Sequence, residues 1–89
     1  MKLIGTTVRF SRNYSKLCKV RGNKFKITVE EKIDLLLFSP SHNSLRLHKI
    51  NHRSGQSWSV SIDMKIRMLF VYENDGLILV DIGTHDEVY

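Results

Sequence analysis

The sequence has few residues that form disulfides or interrupt helices and strands: one cysteine, one proline and five glycines among 89 residues. Because Cys18 has no second cysteine to pair with, we expect a reducing cytoplasm and a small, buried or half-buried thiol. No apolar run is long enough to cross a membrane. The N-terminal segment also lacks the long apolar stretch and small-residue cleavage site of a signal peptide.

Acidic residues are missing from the first third of the chain. Residues 54–89 hold two basic and six acidic side chains, and the net charge is +5. This asymmetry predicts a dipolar molecule whose basic side attracts either a polyanion or an acidic partner protein, unless it is simply a solvated helix. The length and the 42% apolar fraction fit one folded domain, residues 1–89. Residues 1–29 hold no Asp or Glu and eight basic residues: Lys2, Arg9, Arg12, Lys16, Lys19, Arg21, Lys24 and Lys26.

Two helices are predicted after a short strand at Lys2 to Gly5. From Val8 to about Val20, apolar residues recur at helical spacing, with a basic stripe on the opposite side. The stripes are Phe10, Tyr14 and Leu17 inward, and Arg9, Arg12, Lys16 and Lys19 outward.

The second helix is predicted from a capping signal. Thr28-Val-Glu-Glu31 has the spacing of a capping box, so we expect this helix to begin at Thr28. Ser39-Pro40 ends it, because proline disfavours helical geometry in the residue before it. Arg21-Gly22-Asn23 separates the two helices, which form a hairpin that must bury its apolar faces on a further layer.

The second half of the chain alternates as strands do. A polar segment with Gly55 predicts a loop over Asn51–Ser57, and Glu73-Asn-Asp-Gly76 predicts a tight turn. We therefore predict an α+β fold: an N-terminal strand, a two-helix hairpin, then an antiparallel three-stranded meander completing a small twisted sheet packed on the helices. The strand-like segments are Leu45–Ile50, Trp58–Ile62, Ile66–Tyr72 and Leu77–Ile82.

Strand alternation predicts which side chains share the face away from the helices. With Val60 and Met68 inward, their neighbours in sequence point outward. The tail after Gly83 can then fold back over that face. The polar residues expected there are Arg46, His48, Ser61 and Arg67, joined by His85 and Tyr89 from the tail.

This set suits cleavage of RNA. Imidazole can accept or donate a proton near neutrality, arginine can grip two phosphate oxygens, and tyrosine can stack on a splayed base. Such chemistry requires no metal or cofactor, and a zinc site from His48 and His52 lacks further ligands.

Each residue also has a purely structural alternative. His48 can be a surface strand residue, and His85 and Tyr89 can close the end of the sheet. Arg67 can form an ion pair with Asp63 or Asp81.

These motifs resemble the RelE/ParE superfamily of type II toxin–antitoxin toxins, closest to its RelE/YafQ side. The resemblance covers nearly the whole chain, and its most specific part is the terminal Gly-Thr-His-x-x-x-aromatic. It is carried by Phe10…Lys16-Leu17, Leu45-Arg-Leu-His48-Lys49, Trp58-Ser-Val-Ser-Ile62, Arg67 and Gly83-Thr-His85-Asp-Glu-Val-Tyr89.

The resemblance implies a ribosome-dependent mRNA endonuclease of the cytoplasm that inhibits translation. Its partners would be the ribosome, mRNA and a cognate antitoxin, with a monomeric toxin that forms a hetero-oligomer with the antitoxin. Four residues match the catalytic positions: His48 and His85 as acid or base, Arg67 for the phosphorane and Tyr89 to orient a base.

The RNA and ribosome contacts implied by charge and position are Arg9, Arg12, Lys16, Lys19, Arg46, Lys49 and Ser61. The basic first helix has two possible partners, ribosomal RNA or an acidic antitoxin segment.

One departure from the family pattern concerns the third strand. YafQ-like members carry Asp-x-His there, whereas this chain has Ser59-Val60-Ser61. The alternative to an active nuclease is therefore a non-enzymatic ParE-like gyrase inhibitor or a catalytically attenuated relative.

Overall fold

A computed structural model describes residues 1–52 and 55–89, and it confirms the predicted α+β class. A short 3₁₀ turn, Asn43–Leu45, joins the helical and the strand parts of the chain. The elements in chain order are β1 (Lys2–Thr6), α1 (Val8–Arg21), α2 (Asn23–Phe38), β2 (His48–His52), β3 (Gly55–Ser61), β4 (Ile66–Glu73), β5 (Gly76–Thr84) and α3 (His85–Val88).

The strands form one mixed sheet in the order β1-β5-β4-β3-β2. β1 is parallel to β5, and the other neighbours are antiparallel. The antiparallel part has four strands where we predicted three, because β2 also pairs with β3, from His48 opposite Ser59 to His52 opposite Gly55. These two strands extend into the segment predicted as a loop, and residues 53 and 54 of that segment lie outside the described residues.

The connection between α1 and α2 differs from the prediction. Gly22 alone joins them, with φ of 84°, a left-handed value that glycine adopts without a Cβ clash. The chain reverses there, so α2 begins at Asn23 and not at Thr28. Phe25 in its first turns is buried in the core, and the Thr28 hydroxyl donates to the Lys24 carbonyl at 3.0 Å instead of capping a helix start. The predicted end is confirmed, since α2 stops at Phe38.

The start of the predicted strand 45–50 is also different. Leu45 is fully buried, but it belongs to the 3₁₀ turn. Arg46 follows in a left-handed conformation with φ of 48°, which breaks the extended backbone. β2 therefore begins three residues later, at His48.

The predicted turn between the last two strands is confirmed. Glu73 pairs with Gly76, so Asn74 and Asp75 are the two turn residues. A Cβ at Gly76 would lie 2.3 Å from the Lys2 carbonyl oxygen. The glycine therefore allows β1 to approach β5 at this point.

One face of the sheet packs on α1 and α2 and holds the core. Asp81 ties α1 to β5, since its carboxylate accepts the Asn13 amide at 2.7 Å and lies 4.0 Å from Arg9 Nη1. Within residues 1–52 and 55–89, no helix combines the length and the apolarity that a membrane span requires. The buried core residues are Phe10, Phe25, Val29, Leu36, Leu45, Val60, Ile62, Ile66, Met68, Phe70, Leu77, Leu79 and Ile82.

The predicted alternation in β3 and β4 is confirmed. Val60 and Met68 are opposite each other and fully buried under the helices. Leu69, also buried, lies outside this helix-side core, as does Val88 of α3. We call the face that carries Ser59, Ser61, Arg67 and Leu69 the open face.

Candidate active site on the open face

The one-turn helix α3 brings the tail back over the sheet. Its start is a capping box: the Glu87 carboxylate accepts the Thr84 backbone amide at 2.8 Å, and the Thr84 side chain accepts the Glu87 amide. Hydrogen bonds to the carboxylate from the Thr84 backbone amide and from the Thr84 side chain lower the pKa of Glu87. A Cβ at Gly83 would lie 3.1 Å from Glu87 Oε1 and 3.3 Å from Val88 Cγ1, so a small residue there lets α3 lie close to β5.

Tyr89, directly after α3, meets two strands of the open face. Its hydroxyl donates to Ser59 Oγ at 2.6 Å and lies 3.0 Å from His48 Nε2. The His85 ring lies 4.1 Å from the Tyr89 ring, centroid to centroid. The structure thus brings together three of the four predicted catalytic residues, His48, His85 and Tyr89.

The His48 ring is oriented from its other side by the backbone. Its Nδ1 lies 3.0 Å from the Arg46 carbonyl oxygen. A carbonyl oxygen only accepts hydrogen bonds, so Nδ1 must carry a proton in this contact. In the neutral ring, Nε2 is then the basic nitrogen, and it faces Tyr89.

Arg67, the fourth predicted catalytic residue, lies on the same face with Ser61 and Gly83 as its cross-strand partners. The guanidinium is half-buried, and Nη1 is enclosed without a hydrogen-bond partner in the described part of the chain. A buried donor without a partner costs stability, so an anion that accepts from it would be favoured here.

The predicted structural alternative for Arg67 is wrong. Asp63 pairs instead with Arg21 at 2.6 Å, and Asp81 is held by α1. Burial alone would raise the pKa of Asp63, but hydrogen bonds from the Ile66 and Lys65 amides and from Arg21 outweigh it and lower that pKa. Arg67 therefore has neither of the two carboxylates that we considered as partners.

Of three predicted RNA-binding residues, Arg46 lies off the predicted face, Lys49 lies on the helix side, and Ser61 lies on the open face as predicted. Arg46 precedes β2, so it does not belong to a strand face; it is exposed beside His42 and Asn43. Lys49 Nζ lies 5.7 Å from the centroid of the Trp58 ring, on the side of the sheet that the helices cover. Ser61 is beside Arg67, but its hydroxyl donates to the Asp63 carbonyl at 2.9 Å and holds the β3–β4 turn.

The basic stripe of α1 is exposed, as predicted from its spacing. Arg12, Lys16 and Lys19 are all exposed, whereas Arg9 contacts Asp81. Lys16 and Glu87 line a cleft of about 170 Å³ between α1 and the end of β5. One residue of the basic stripe, Lys16, therefore lies across a cleft from Glu87 of α3.

Sequence reasoning missed two residues of the site. Ser59 is fully buried against Tyr89, although the alternation of β3 had placed it on the correct face. Glu87 caps the helix that carries His85 and Tyr89, and the sequence Thr84-His-Asp-Glu87 has the spacing of a capping box that signals it. Among the described residues, no group of three His, Cys, Asp or Glu is arranged to hold a metal ion.

The sequence matches no family model and no curated protein. Solved structures do match the fold. A copper-bound mutant toxin from Helicobacter pylori is 20% identical, with 100% of this chain and 99% of that chain aligned and a TM-score of 0.82.

Two further toxins have the same fold. The E. coli DinJ–YafQ toxin–antitoxin complex contains a chain that is 11% identical, covering 99% and 96% of the two chains at a TM-score of 0.81. A YoeB/ParE toxin from Agrobacterium tumefaciens is 15% identical, covering 96% and 99% at a TM-score of 0.72. The chain therefore has the RelE/YafQ-like toxin fold that its motifs resemble.

Proposed function

We propose that this protein is the toxin of a type II toxin–antitoxin system and that it cleaves mRNA on the ribosome. The observation that carries the proposal is the cluster on the open face: two imidazoles, those of His48 and His85, lie 6.2 and 4.1 Å from the Tyr89 ring, centroid to centroid. Arg67 lies on the same face with a buried nitrogen that lacks a partner within residues 1–52 and 55–89.

Cleavage of RNA at this cluster requires two proton transfers and one stabilised anion. A base takes the proton of a ribose 2′-hydroxyl, and the 2′-oxygen bonds to phosphorus. The P–O5′ bond breaks, and the leaving 5′-oxygen takes a proton from an acid. One imidazole as base and the other as acid satisfy this balance without a metal, and the products are a 2′,3′-cyclic phosphate and a free 5′-hydroxyl.

Arg67 stabilises the anion that forms during the reaction. The phosphorane carries more negative charge than the substrate, and an arginine directs two N–H groups at its oxygens. The Nη1 atom has no hydrogen bond to give up among the described residues, and a shift of the Arg67 side chain would bring this enclosed atom to a phosphate oxygen. Tyr89 is 39% exposed, which leaves part of its ring free to stack on a nucleobase.

The proposed protein partner is an antitoxin. YafQ has been solved in complex with DinJ as a toxin–antitoxin pair, and this chain shares its fold. An antitoxin segment that covers the open face or the basic stripe of α1 would block access to RNA. An acidic segment suits the exposed Arg12, Lys16 and Lys19.

The experiment is induction of the protein in cells without an antitoxin, followed by primer extension on a translated mRNA. We expect new 5′ ends in frame with the codons, and their loss with Arg67→Ala. Arrested growth with intact mRNA would favour the gyrase inhibitor. Normal growth with intact mRNA would favour the attenuated relative, in line with a third strand whose Ser61 hydroxyl is engaged in a turn.

A further inference from the structure

Four groups on the open face form a continuous hydrogen-bonded chain: Ser59 Oγ, Tyr89 Oη, the two ring nitrogens of His48, and the Arg46 carbonyl oxygen. The three contacts measure 2.6, 3.0 and 3.0 Å. We propose that this chain is a proton relay, in which the Tyr89 hydroxyl carries a proton between the ribose and His48 Nε2. Ser59 is the positioning residue of the relay. This inference rests on the proposed function and assigns the base of that reaction.

The hydrogen bond to the Arg46 carbonyl determines which ring nitrogen of His48 takes up and releases protons. The Arg46 carbonyl accepts from Nδ1, so that nitrogen keeps its proton in both charge states of the ring. Arg46 has a left-handed backbone, which ends the 3₁₀ turn just before β2. Proton uptake and release are therefore confined to Nε2, which faces the tyrosine.

The Tyr89 hydroxyl has one proton and two neighbours that can share it. When His48 is neutral, Tyr89 donates to Nε2 and its oxygen can accept from Ser59 or from an incoming ribose hydroxyl. When His48 is charged, Nε2 donates to the Tyr89 oxygen, and Tyr89 donates to Ser59 as the structure shows. Both patterns use the same heavy-atom positions, so a proton can pass with only hydroxyl rotations.

The transfer balances in protons. The 2′-hydroxyl gives its proton to the Tyr89 oxygen while Tyr89 gives its own to His48 Nε2, so tyrosine is unchanged and His48 becomes an imidazolium. The 2′-oxygen bonds to phosphorus, and the P–O5′ bond breaks. His85, exposed and with its ring 4.1 Å from that of the same tyrosine at an interplanar angle of 51°, is then left to protonate the leaving 5′-oxygen.

The relay provides a proton-carrying group, which β3 lacks. That strand carries Ser59 and Ser61, neither of which titrates near neutrality. Ser59 is fully buried and accepts from the Tyr89 hydroxyl, whereas Tyr89 itself is 39% exposed. The serine thus positions a proton-carrying group that comes from the tail.

The first test requires no activity. In the intact protein, ¹⁵N shifts of the His48 ring should show neutral His48 protonated on Nδ1 and not on Nε2. A Tyr89 hydroxyl proton should be observable through slow exchange with water, and Ser59→Ala should abolish that protection. Neutral His48 protonated on Nε2, or an unchanged hydroxyl exchange rate in Ser59→Ala, would overturn the relay.

The second test measures cleavage on programmed ribosomes. Tyr89→Phe keeps the ring and removes the hydroxyl, so we expect kcat to fall by about 10²–10⁴-fold with little change in KM. Tyr72→Phe, on an exposed tyrosine of β4, is the matched control and should cut like the wild type. Ser59→Ala should lower kcat less than Tyr89→Phe does, and Ser59→Thr, which restores a hydroxyl, should recover part of the loss.

The outcomes separate the two proposals. Wild-type rates in Tyr89→Phe would overturn the relay while leaving the nuclease in place, because the tyrosine would then act through its ring alone. Absence of cleavage by the wild type would overturn the proposed function. The ring-nitrogen shifts would still decide whether the hydrogen-bonded chain exists.

Discussion

The Glu87 carboxylate accepts the backbone amide of Thr84 at 2.8 Å, and this contact starts the short helix that places Tyr89 against Ser59. The helix has a single turn, so its geometry depends on its cap more than on its own hydrogen bonds. Within residues 1–52 and 55–89, the Glu87 side chain makes no hydrogen bond to His48, Arg67, His85 or Tyr89. Its effect on the site would pass through the position of the tail.

Loss of the Glu87 cap should therefore reduce cleavage without unfolding the protein. We expect Glu87→Ala to lower the single-turnover rate on programmed ribosomes by about 10²-fold, because small displacements of reacting groups are costly. Glu87→Gln is the control, since its side-chain oxygen can still accept the Thr84 amide. Wild-type rates in Glu87→Ala would show that the tail is held by other contacts.

Replacement of Arg67 should separate activity from stability. Arg67→Ala should lower cleavage by about 10²–10³-fold, the usual cost of losing one group that stabilises a developing anion. Its melting temperature should not fall, because the substitution removes a buried nitrogen that lacks a partner in the described structure. Calorimetry beside the cleavage assay checks both parts.

Two further variants sharpen this prediction. Arg67→Lys should not restore the rate, since an ammonium cannot present a planar fork of donors. Lys65→Ala, an exposed neighbour in the β3–β4 turn, should cut as the wild type does. A marked loss of stability in Arg67→Ala would indicate a structural role instead.

The basic stripe of α1 can be tested by charge reversal. Replacement of Arg12, Lys16 and Lys19 by Glu should weaken ribosome binding and reduce its dependence on salt, by about 0.7–0.9 in the log–log slope for each lost phosphate contact. Arg9 is left in place because it contacts Asp81. Sedimentation with ribosomes at several salt concentrations measures the effect.

A control for charge reverses two exposed lysines of α2, Lys24 and Lys26, in place of the three residues of the stripe. This variant alters the net charge but leaves the stripe intact, so we expect smaller losses. If the α1 variant binds ribosomes normally and loses antitoxin binding, the stripe serves the antitoxin and not ribosomal RNA.

The raised pKa of Tyr14 predicts how the free energy of unfolding changes at alkaline pH. Burial raises the pKa of Tyr14 from 10.0 to about 12, with a hydrogen bond to Cys18 as a further cause. Because the folded-state pKa is the higher one, this contribution is complete below pH 10 and is lost as the pH rises toward 12. The urea midpoint of the wild type should therefore fall more steeply over this range than that of Tyr14→Phe.

The exposed Tyr72 again provides the control for this measurement. Tyr72→Phe should follow the wild-type pH dependence, since its side chain lies at the surface of β4. Parallel curves for wild type and Tyr14→Phe would contradict the proposed origin of the alkaline loss.

Local patterns determined the parts of the fold that depend on neighbouring residues. Helical spacing in residues 8–20 predicted α1, and the alternation around Val60 and Met68 predicted the two faces of the sheet. The turn at Glu73–Gly76 was predicted from its turn residues alone. The resemblance and a tail that folds back after Gly83 predicted that His85 and Tyr89 join the open face.

Tertiary structure decided what depends on residues far apart in the chain. Gly22 reverses the backbone so that Phe25 reaches the core, and this packing overrides the capping signal at Thr28. Because the backbone of Arg46 is left-handed, β2 begins only at His48. The Arg46 carbonyl then points to the His48 ring. Ser59 and Tyr89 are separated by 30 residues, and their contact exists because the sheet register and the α3 cap bring them together.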